Sequence, residues 1–394
     1  MENFPNLLII SQSIPQSVYA GCSLLQRLLK TYPAEKLLVI GPTPHPNAEL
    51  LSSRYEFIKQ PLLDRLTKTR FASLYRSLDV FGWIPQLSIS SITSKLKGFQ
   101  PDVVLTLMQV QNYYHLAYRY ANSQNLPLIV IVHDLPECFE PVENWATQRQ
   151  LKKNTEVYQY ATKRLCVSSE MRDHLEKVYG VRGNVLYPNR SETLSHRNIE
   201  YSFTLREPEV LTVGYAGSLA YGYGQQLEQM IPAFLQARAK LRIYSQSTLE
   251  NNCPNIVTNC GYASTAEVTW ELVKAECDAV ILPYFWSDNY TMLYKTHFPS
   301  KLSEYLALGM PVLIFGPDYA TGVKWGLQHP DDVLVVTENK AQLWSDALMK
   351  LRDSAQLRQH LSQAALSVGD QDFNPASICD QFLSSIQQSA FGLR

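Results

Sequence analysis

The stretch Val210-Leu211-Thr212-Val213-Gly214-Tyr215-Ala216-Gly217-Ser218-Leu219-Ala220-Tyr221-Gly222-Tyr223-Gly224 decides the fold. Val210 to Val213 reads as a short buried strand, four glycines crowd the turn that follows, and Gln225 to Ala239 has helical periodicity. Lys240 to Tyr244 then reads as a second strand, so a strand–turn–helix–strand unit begins in mid-chain. The residues before it, about Arg190 to Pro208, are polar and without period, and read as a linker. Downstream, Ser264 opens a helix with Glu267 at capping-box spacing. Asp278 to Pro283, Val312 to Phe315 and Val333 to Val336 read as strands, Gln342 to Ser367 as one long helix, and Pro375 to Gln388 as the last.

Upstream of the linker the same alternation is present. Leu7 to Ile10, Lys36 to Ile40, Val103 to Leu107, Leu128 to Val132 and Arg164 to Val167 read as strands, with a helix from about Gly21 to Lys30. Ser169 to Tyr179 is helical and stops at Gly180, a residue suited to the left-handed conformation past a helix end. Short β-branched runs alternating with amphipathic segments argue for parallel sheets covered by helices. Since the alternation starts twice, the expected α/β architecture is two doubly wound domains facing a cleft, residues 1–200 and 206–372. A chain of 394 residues suits two such cores.

Composition narrows the function classes. The chain is 45% hydrophobic and 18% charged, which excludes a disordered or coiled-coil protein. Thirty-five Lys plus Arg balance 36 Asp plus Glu, so no global positive charge draws the chain to nucleic acid. No apolar run approaches the ~20 residues of a membrane span. The start Met1-Glu2-Asn3 lacks the basic residues of a secretory signal. The seven cysteines are scattered, without a CxxC pair, which argues against a disulfide framework or a zinc ribbon. A cytoplasmic protein with free thiols is the expectation.

Ligands of open parallel sheets sit at the carboxyl ends of the strands. Leu128 to Val132 runs directly into His133-Asp134, a polar pair that either faces a cleft or caps the strand and starts a turn. The glycine turn at Gly214 to Gly224 suits either close approach to a phosphate or backbone that needs positive φ. It matches neither GxGxxG with the right third glycine nor GxxxxGK[ST]. The third cluster is Thr296-His297-Phe298-Pro299-Ser300-Lys301-Leu302-Ser303-Glu304-Tyr305-Leu306-Ala307-Leu308-Gly309-Met310-Pro311-Val312-Leu313. Pro299 fits the first turn of a helix that Gly309 ends, with Ser300 and Lys301 at the positive end of its dipole. Lys301 and Glu304, three apart, share a face. They suit either a phosphate-and-hydroxyl site or a surface ion pair.

Phe298 to Leu313 resembles the signature of glycosyltransferase family 4, whose GT-B fold has two facing Rossmann-like domains. Ser11 to Ser23 with Gly21, His133, Val167 to Ser169, Val185 to Asn189 and Val213 to Ser218 fall in the family's order. The likeness points toward bacterial or cyanobacterial enzymes of surface and envelope polysaccharide assembly. It implies a retaining, metal-independent hexosyl transfer from a UDP-sugar, best matched by UDP-glucose, to a saccharide or lipid-linked acceptor. No cofactor beyond that donor substrate and no metal site is implied.

By the same resemblance Glu304 binds the ribose, and the backbone at Phe298, Pro299 and Ser300, with Leu302, lies along the donor. Gly217 and Ser218 face the diphosphate, Tyr262 the base, Gly21 the first-domain side of the donor, and His133 the hexose. The helix within residues 373–394 is expected to cross back onto the first domain. Two departures stand out. Thr296 takes the place of the motif's first glutamate, and Tyr221 and Tyr223 stand where many relatives carry Arg and Lys. Lys301 is the expected replacement cation and catalytic partner of His133, with Arg190 as a second candidate.

The acceptor side is less defined. Residues 54–76 carry six basic residues against Glu56 and Asp64, interleaved with Leu62, Leu63, Leu66, Phe71, Leu74 and Tyr75. They read either as a solvated helix with a core-facing stripe or as a peripheral contact with an anionic membrane on its inner face. Two other functions fit a GT-B chain: a non-catalytic nucleotide-sugar-binding or scaffold protein, and a nucleotide-sugar epimerase.

Overall fold

The structure is a computed structural model that describes residues 4–17, 20–46, 48–51, 53–58, 62–84, 86–139, 141–192, 194, 209–250, 253–263 and 266–392. It divides into two compact units. The first comprises Met1–Tyr187 and Ala376–Arg394, the second Pro188–Pro375. Most of the linker read at 190–208, and the Ser264 start of a capping box, lie outside the described residues.

The first unit is built on seven strands: β1 (Leu7–Ile10), β2 (Leu37–Gly41), β3 (Arg54–Phe57), β4 (Val103–Leu107), β5 (Leu128–Val132), β6 (Lys163–Cys166) and β7 (Asn184–Val185). Their order is β3-β2-β1-β4-β5-β6-β7, and every neighbouring pair is parallel. β1, β2, β4 and β5 are buried along their whole length, as helices on both faces of a parallel sheet require. Leu7, Ile9, Val39, Leu105 and Ile129 meet Leu25 and Leu28 in one core. The C-terminal helix Pro375–Phe391 adds Ile378, Phe382 and Ile386, spaced four apart and therefore on one stripe, to that same core.

The second unit repeats the plan with β8 (Leu211–Ala216), β9 (Ala239–Tyr244), β10 (Val257–Asn259), β11 (Ala279–Pro283), β12 (Val312–Phe315) and β13 (Leu334–Val336). The order β10-β9-β8-β11-β12-β13 is again all parallel. In each sheet the winding direction reverses beside the first strand of the unit, between β1 and β4 and between β8 and β11.

Several elements differ from the sequence reading. The helix expected over 225–239 is two, Tyr223–Gln229 and Ile231–Gln236, because Pro232 lacks the N–H to continue the first and restarts the second. Ala239 belongs to β9. The helix expected over 342–367 breaks at Ser354, whose hydroxyl accepts from the Leu357 N–H at 3.1 Å and caps a new helix, Ala355–Asp372. Residues 54–76 are not one helix. They comprise β3, a 3₁₀ segment Leu62–Lys68 and the start of a helix Ala72–Phe81.

Candidate active site

In the second unit the site forms at the carboxyl end of β8, beside the reversal point of the sheet. Helix Ser300–Ala307 connects β11 to β12 and brings its N-terminus to that edge. Pro299 precedes this helix as its cap residue instead of opening it, with φ −76° and ψ 104°. No side chain caps the start, and first-turn N–H groups such as those of Ser300 and Lys301 have no intrahelical acceptor. Gly309, at φ 65°, ends the segment as its spacing requires.

Lys301 is the centre of this arrangement. Its Nζ lies 4.2 Å from the ring centre of Tyr223 and 5.0 Å from that of Tyr215. It makes no ion pair among the described residues, so its spacing to Glu304 does not produce the surface pair it would allow. Burial without a counter-charge pushes its ammonium down to about 8. The aromatic faces offset part of that desolvation, each by about 0.5–2 kcal/mol.

Gly217 gives this lysine its place. A Cβ at Gly217 would overlap Lys301 Cε and come within 3.4 Å of Nζ, and the residue sits at φ +131°, which side chains rarely adopt. The glycine turn therefore serves a close approach, but the group that approaches is Lys301. Gly222 is equally constrained: at φ +87° a Cβ would meet Phe285 Cβ and Tyr294 Oη, both at 2.7 Å. Below the turn, Tyr223, Tyr284 and Tyr294 pack with ring centres 4.9–6.2 Å apart. Tyr305 accepts from the Ala216 N–H at 3.0 Å, which fixes the end of β8 against the helix that carries Lys301.

The other expected donor-side residues fall in different places. Glu304 is buried on the same helix. Ser218 is exposed, and its hydroxyl accepts from the Ala220 N–H at 3.1 Å within its own turn. Phe298 packs on Phe373, ring centres 5.5 Å apart, so its ring serves the core. Leu302 is fully buried and its N–H is bonded to the Pro299 carbonyl at 3.0 Å. Its side chain and its N–H are therefore both engaged within the protein. Arg190 is paired with Asp370 at 2.5 Å and is already neutralised, unlike Lys301. Tyr262 is exposed beyond β10, after Gly261 at φ 72°. Thr296 is buried, and its hydroxyl donates to the Met292 carbonyl at 2.8 Å and lies 3.0 Å from His297 Nδ1.

In the first unit the polar residues that follow β1, β4 and β5 form one chain. Ser13 donates to Gln109 Oε1 at 2.8 Å, Gln109 Nε2 donates to Asp134 at 2.8 Å, and Asp134 lies 3.3 Å from His133 Nδ1. Gly21 abuts this chain, with its Cβ position 3.5 Å from Ser13 Oγ and 3.8 Å from Gln109 Oε1. Burial alone would depress the His133 imidazolium, but the Asp134 carboxylate outweighs it and the net shift is upward. Gln109 and Ser13 escaped the sequence reading. The signal was available for Gln109, a polar residue two positions beyond a buried strand, as His133 is one position beyond β5.

Among the described residues no group of three or more His, Cys, Asp or Glu is arranged to hold a metal ion. No helix among them is long and apolar enough to cross a membrane.

Residues 41–188 match the profile of Glycosyltransferase Family 4. That match lies in the first half of the chain, away from the Lys301 helix that carried the sequence resemblance. A comparison with curated proteins finds no match. Among solved structures, HepE of Anabaena in complex with UDP and glucose aligns with TM-score 0.65 and 14% identity, over 97% of this chain and 99% of that one. Sucrose-phosphate synthase of Thermosynechococcus elongatus aligns with TM-score 0.68 and 14% identity, over 98% and 99%. A glycosyltransferase of Rickettsia africae aligns with TM-score 0.66 and 12% identity, over 99% of each chain. The chain thus has the two-sheet GT-B architecture of glycosyltransferases, and over residues 41–188 it matches Glycosyltransferase Family 4.

Proposed function

We propose that the chain is a glycosyltransferase that moves a hexose from a UDP-sugar, glucose being the best match, to a saccharide or lipid-linked acceptor, with retention and without a metal. The observation that carries this reading is Lys301. It is a desolvated ammonium without a carboxylate partner, beside a helix N-terminus at the reversal point of a parallel sheet. Such a site favours an anion. HepE, which shares the fold, is seen with UDP, with UDP and glucose, and with UDP-glucose, which supports the choice of nucleotide.

As the glycosidic bond of such a donor breaks, negative charge accumulates on the departing diphosphate. The Lys301 ammonium and the first-turn N–H groups would stabilise that charge more than the ground state. One preorganised donor of this kind is worth about 2.7–4 kcal/mol. A phosphate oxygen of the donor can take the acceptor proton, so no glycosidase-type carboxylate pair is needed. Family likeness assigns Glu304 to the ribose and His133 to the transferred sugar.

A non-catalytic nucleotide-sugar-binding protein is the second reading, favoured by Thr296, which offers no carboxylate where the family motif has its first glutamate. Nucleotide release from UDP-, GDP-, ADP- and dTDP-hexoses, with wild type and Glu304→Ala, separates the two. Slow cleavage of one donor that Glu304→Ala abolishes supports transfer. Tight binding without cleavage supports the second reading, and absence of both refutes the donor site.

A further inference from the structure

The first unit carries an exposed aromatic surface that neither the donor site nor the core uses. Phe81, Trp83 and Trp145 stack on one another, with ring centres 4.9 Å (Phe81–Trp83), 5.5 Å (Phe81–Trp145) and 6.1 Å (Trp83–Trp145) apart. Trp83 is 66% and Trp145 51% exposed. Phe81 ends helix Ala72–Phe81, and the spacing of Phe71, Leu74, Leu78 and Phe81 places them on one face of it. Phe71 and Leu74 are themselves exposed. The stripe therefore runs from Phe71 to the tryptophan pair and is aliphatic as well as aromatic. Large contiguous apolar surface on a soluble domain marks an interaction site.

Most of the charges beside it are positive, the exposed Glu156 on helix Thr147–Tyr160 being an exception. Arg65, Lys68 and Arg70 are exposed ahead of the stripe, and Arg70 lies 4.9 Å over the Phe71 ring. Arg149 and Lys152 are exposed on helix Thr147–Tyr160, which follows Trp145 and packs on Ala72–Phe81. Among the described residues no carboxylate pairs with any of these five. Of the acids on the neighbouring segments, Asp79 is buried and accepts from Gln111 at 3.0 Å, Glu143 is bonded to Ser73, and Glu156 is exposed four residues beyond Lys152. By contrast Arg54 faces Glu56, which also holds Lys95 and Lys97, so the basic start of residues 54–76 has an acidic partner within the fold. Lys59 and the side chains of Leu62, Leu63 and Asp64 lie outside the described residues.

We propose that the surface formed by Phe71, Leu74, Trp83 and Trp145, flanked by Arg65, Lys68, Arg70, Arg149 and Lys152, docks the first unit on an anionic lipid bilayer. Tryptophans seat at the headgroup boundary, aliphatic side chains enter the acyl edge, and unpaired cations meet anionic headgroups. A saccharide would use the stacked rings but would leave Leu74 and the unpaired cations without a role. The proposal is independent of the donor reading, because it concerns a surface remote in sequence from Lys301 and can be read without any donor.

The test is co-sedimentation of the full chain with phosphatidylglycerol-rich and with pure phosphatidylcholine vesicles, at low and high salt. Tryptophan quenching by brominated lipid provides a second readout. Wild type is expected to partition onto the anionic vesicles at low salt, with quenching. Each cation removed in the series Arg65→Gln, Lys68→Gln, Arg70→Gln weakens binding roughly fivefold, the equivalent of about 1 kcal/mol. Trp83→Ala with Trp145→Ala abolishes quenching and weakens partition, while donor cleavage in vesicle-free solution is unchanged and circular dichroism confirms the fold. Absence of wild-type partition overturns the proposal, as does partition that both variant sets retain. Tryptophan fluorescence that responds to soluble oligosaccharide and not to vesicles also overturns it, in favour of a sugar platform.

Discussion

Replacing Gly217 by alanine should cost as much activity as removing the Lys301 charge, and the two losses should not add. The new methyl group would occupy the space of Lys301 Cε at a backbone angle of φ +131°. Strained backbone of this kind costs about 1–3 kcal/mol. A lysine tip is flexible, so the cheaper relief is for Lys301 to leave the faces of Tyr215 and Tyr223. The ammonium then no longer sits beside the helix start, and the departing diphosphate loses one preorganised donor, about 2.7–4 kcal/mol or 10²–10³ in kcat. Lys301→Met removes the same charge directly and leaves the backbone unstrained.

If both substitutions act through the ammonium, the double variant falls no lower than the worse single variant. The coupling energy then equals most of the smaller loss. Single-turnover release of nucleotide from the cleaved donor measures all four corners, and thermal unfolding of each variant shows how much of any loss is instability. Multiplicative losses would refute the reasoning, since they would mean that Gly217 serves the turn alone. A fully active Gly217→Ala would refute it more simply.

The ammonium of Lys301 is pushed down to about 8 by burial, and under the proposed function a diphosphate would bind its charged form. UDP affinity is therefore expected to be level below that pH and to fall about tenfold per unit above it, whereas Lys301→Arg stays level, as titration calorimetry would show. The sign for the ligand-free fold is opposite: it loses this proton before the unfolded chain does, so its stability rises from about pH 8 toward 10.5. Asp134→Asn should turn the raised His133 titration into a depressed one in an NMR experiment, because burial then acts unopposed. It also removes the stabilisation His133 gives below 6.5, which in the wild type is lost as pH rises through its folded value. Phe382→Ala, at a fully buried position of the C-terminal helix, should destabilise the first unit by about 3–5 kcal/mol in denaturant unfolding, although Phe382 lies some two hundred residues from that unit's other strands and helices.

The central strands of both sheets were legible because they are buried on both faces and read as uninterrupted apolar runs, as Leu7–Ile10 and Val312–Phe315 do. Two of the four edge strands were not. Arg54–Phe57 and Val257–Asn259 carry polar residues and are short, so they lack both the apolar run and a long alternation. The helix breaks at Met230 and Ser354 were overridden by amphipathic periodicity that continues across them, although Pro232 and the Ser354 cap were visible as residue types. In the candidate site, the helix start at Ser300 and Lys301 follows from local rules. The chain from Ser13 through Gln109 to Asp134 does not, because its members come from three loops that only the sheet order brings together.

Lys301 and the tyrosines around it also explain how this chain departs from its resemblance. Family likeness leads one to expect cations on the glycine turn, where Tyr221 and Tyr223 stand instead. In the fold the Tyr223 ring lies 4.2 Å from an ammonium delivered by a different element, the helix between β11 and β12. Where the family likeness predicts a charge, the turn offers an aromatic face to a charge from another element. Two consequences follow from that arrangement. With a lysine as its cation, the proposed anion site would lose its charge above about pH 8, where a guanidinium would stay charged. The cation also keeps its place only while Gly217 remains bare, which would make the glycine of the turn part of the proposed anion site although it contributes no side chain to it.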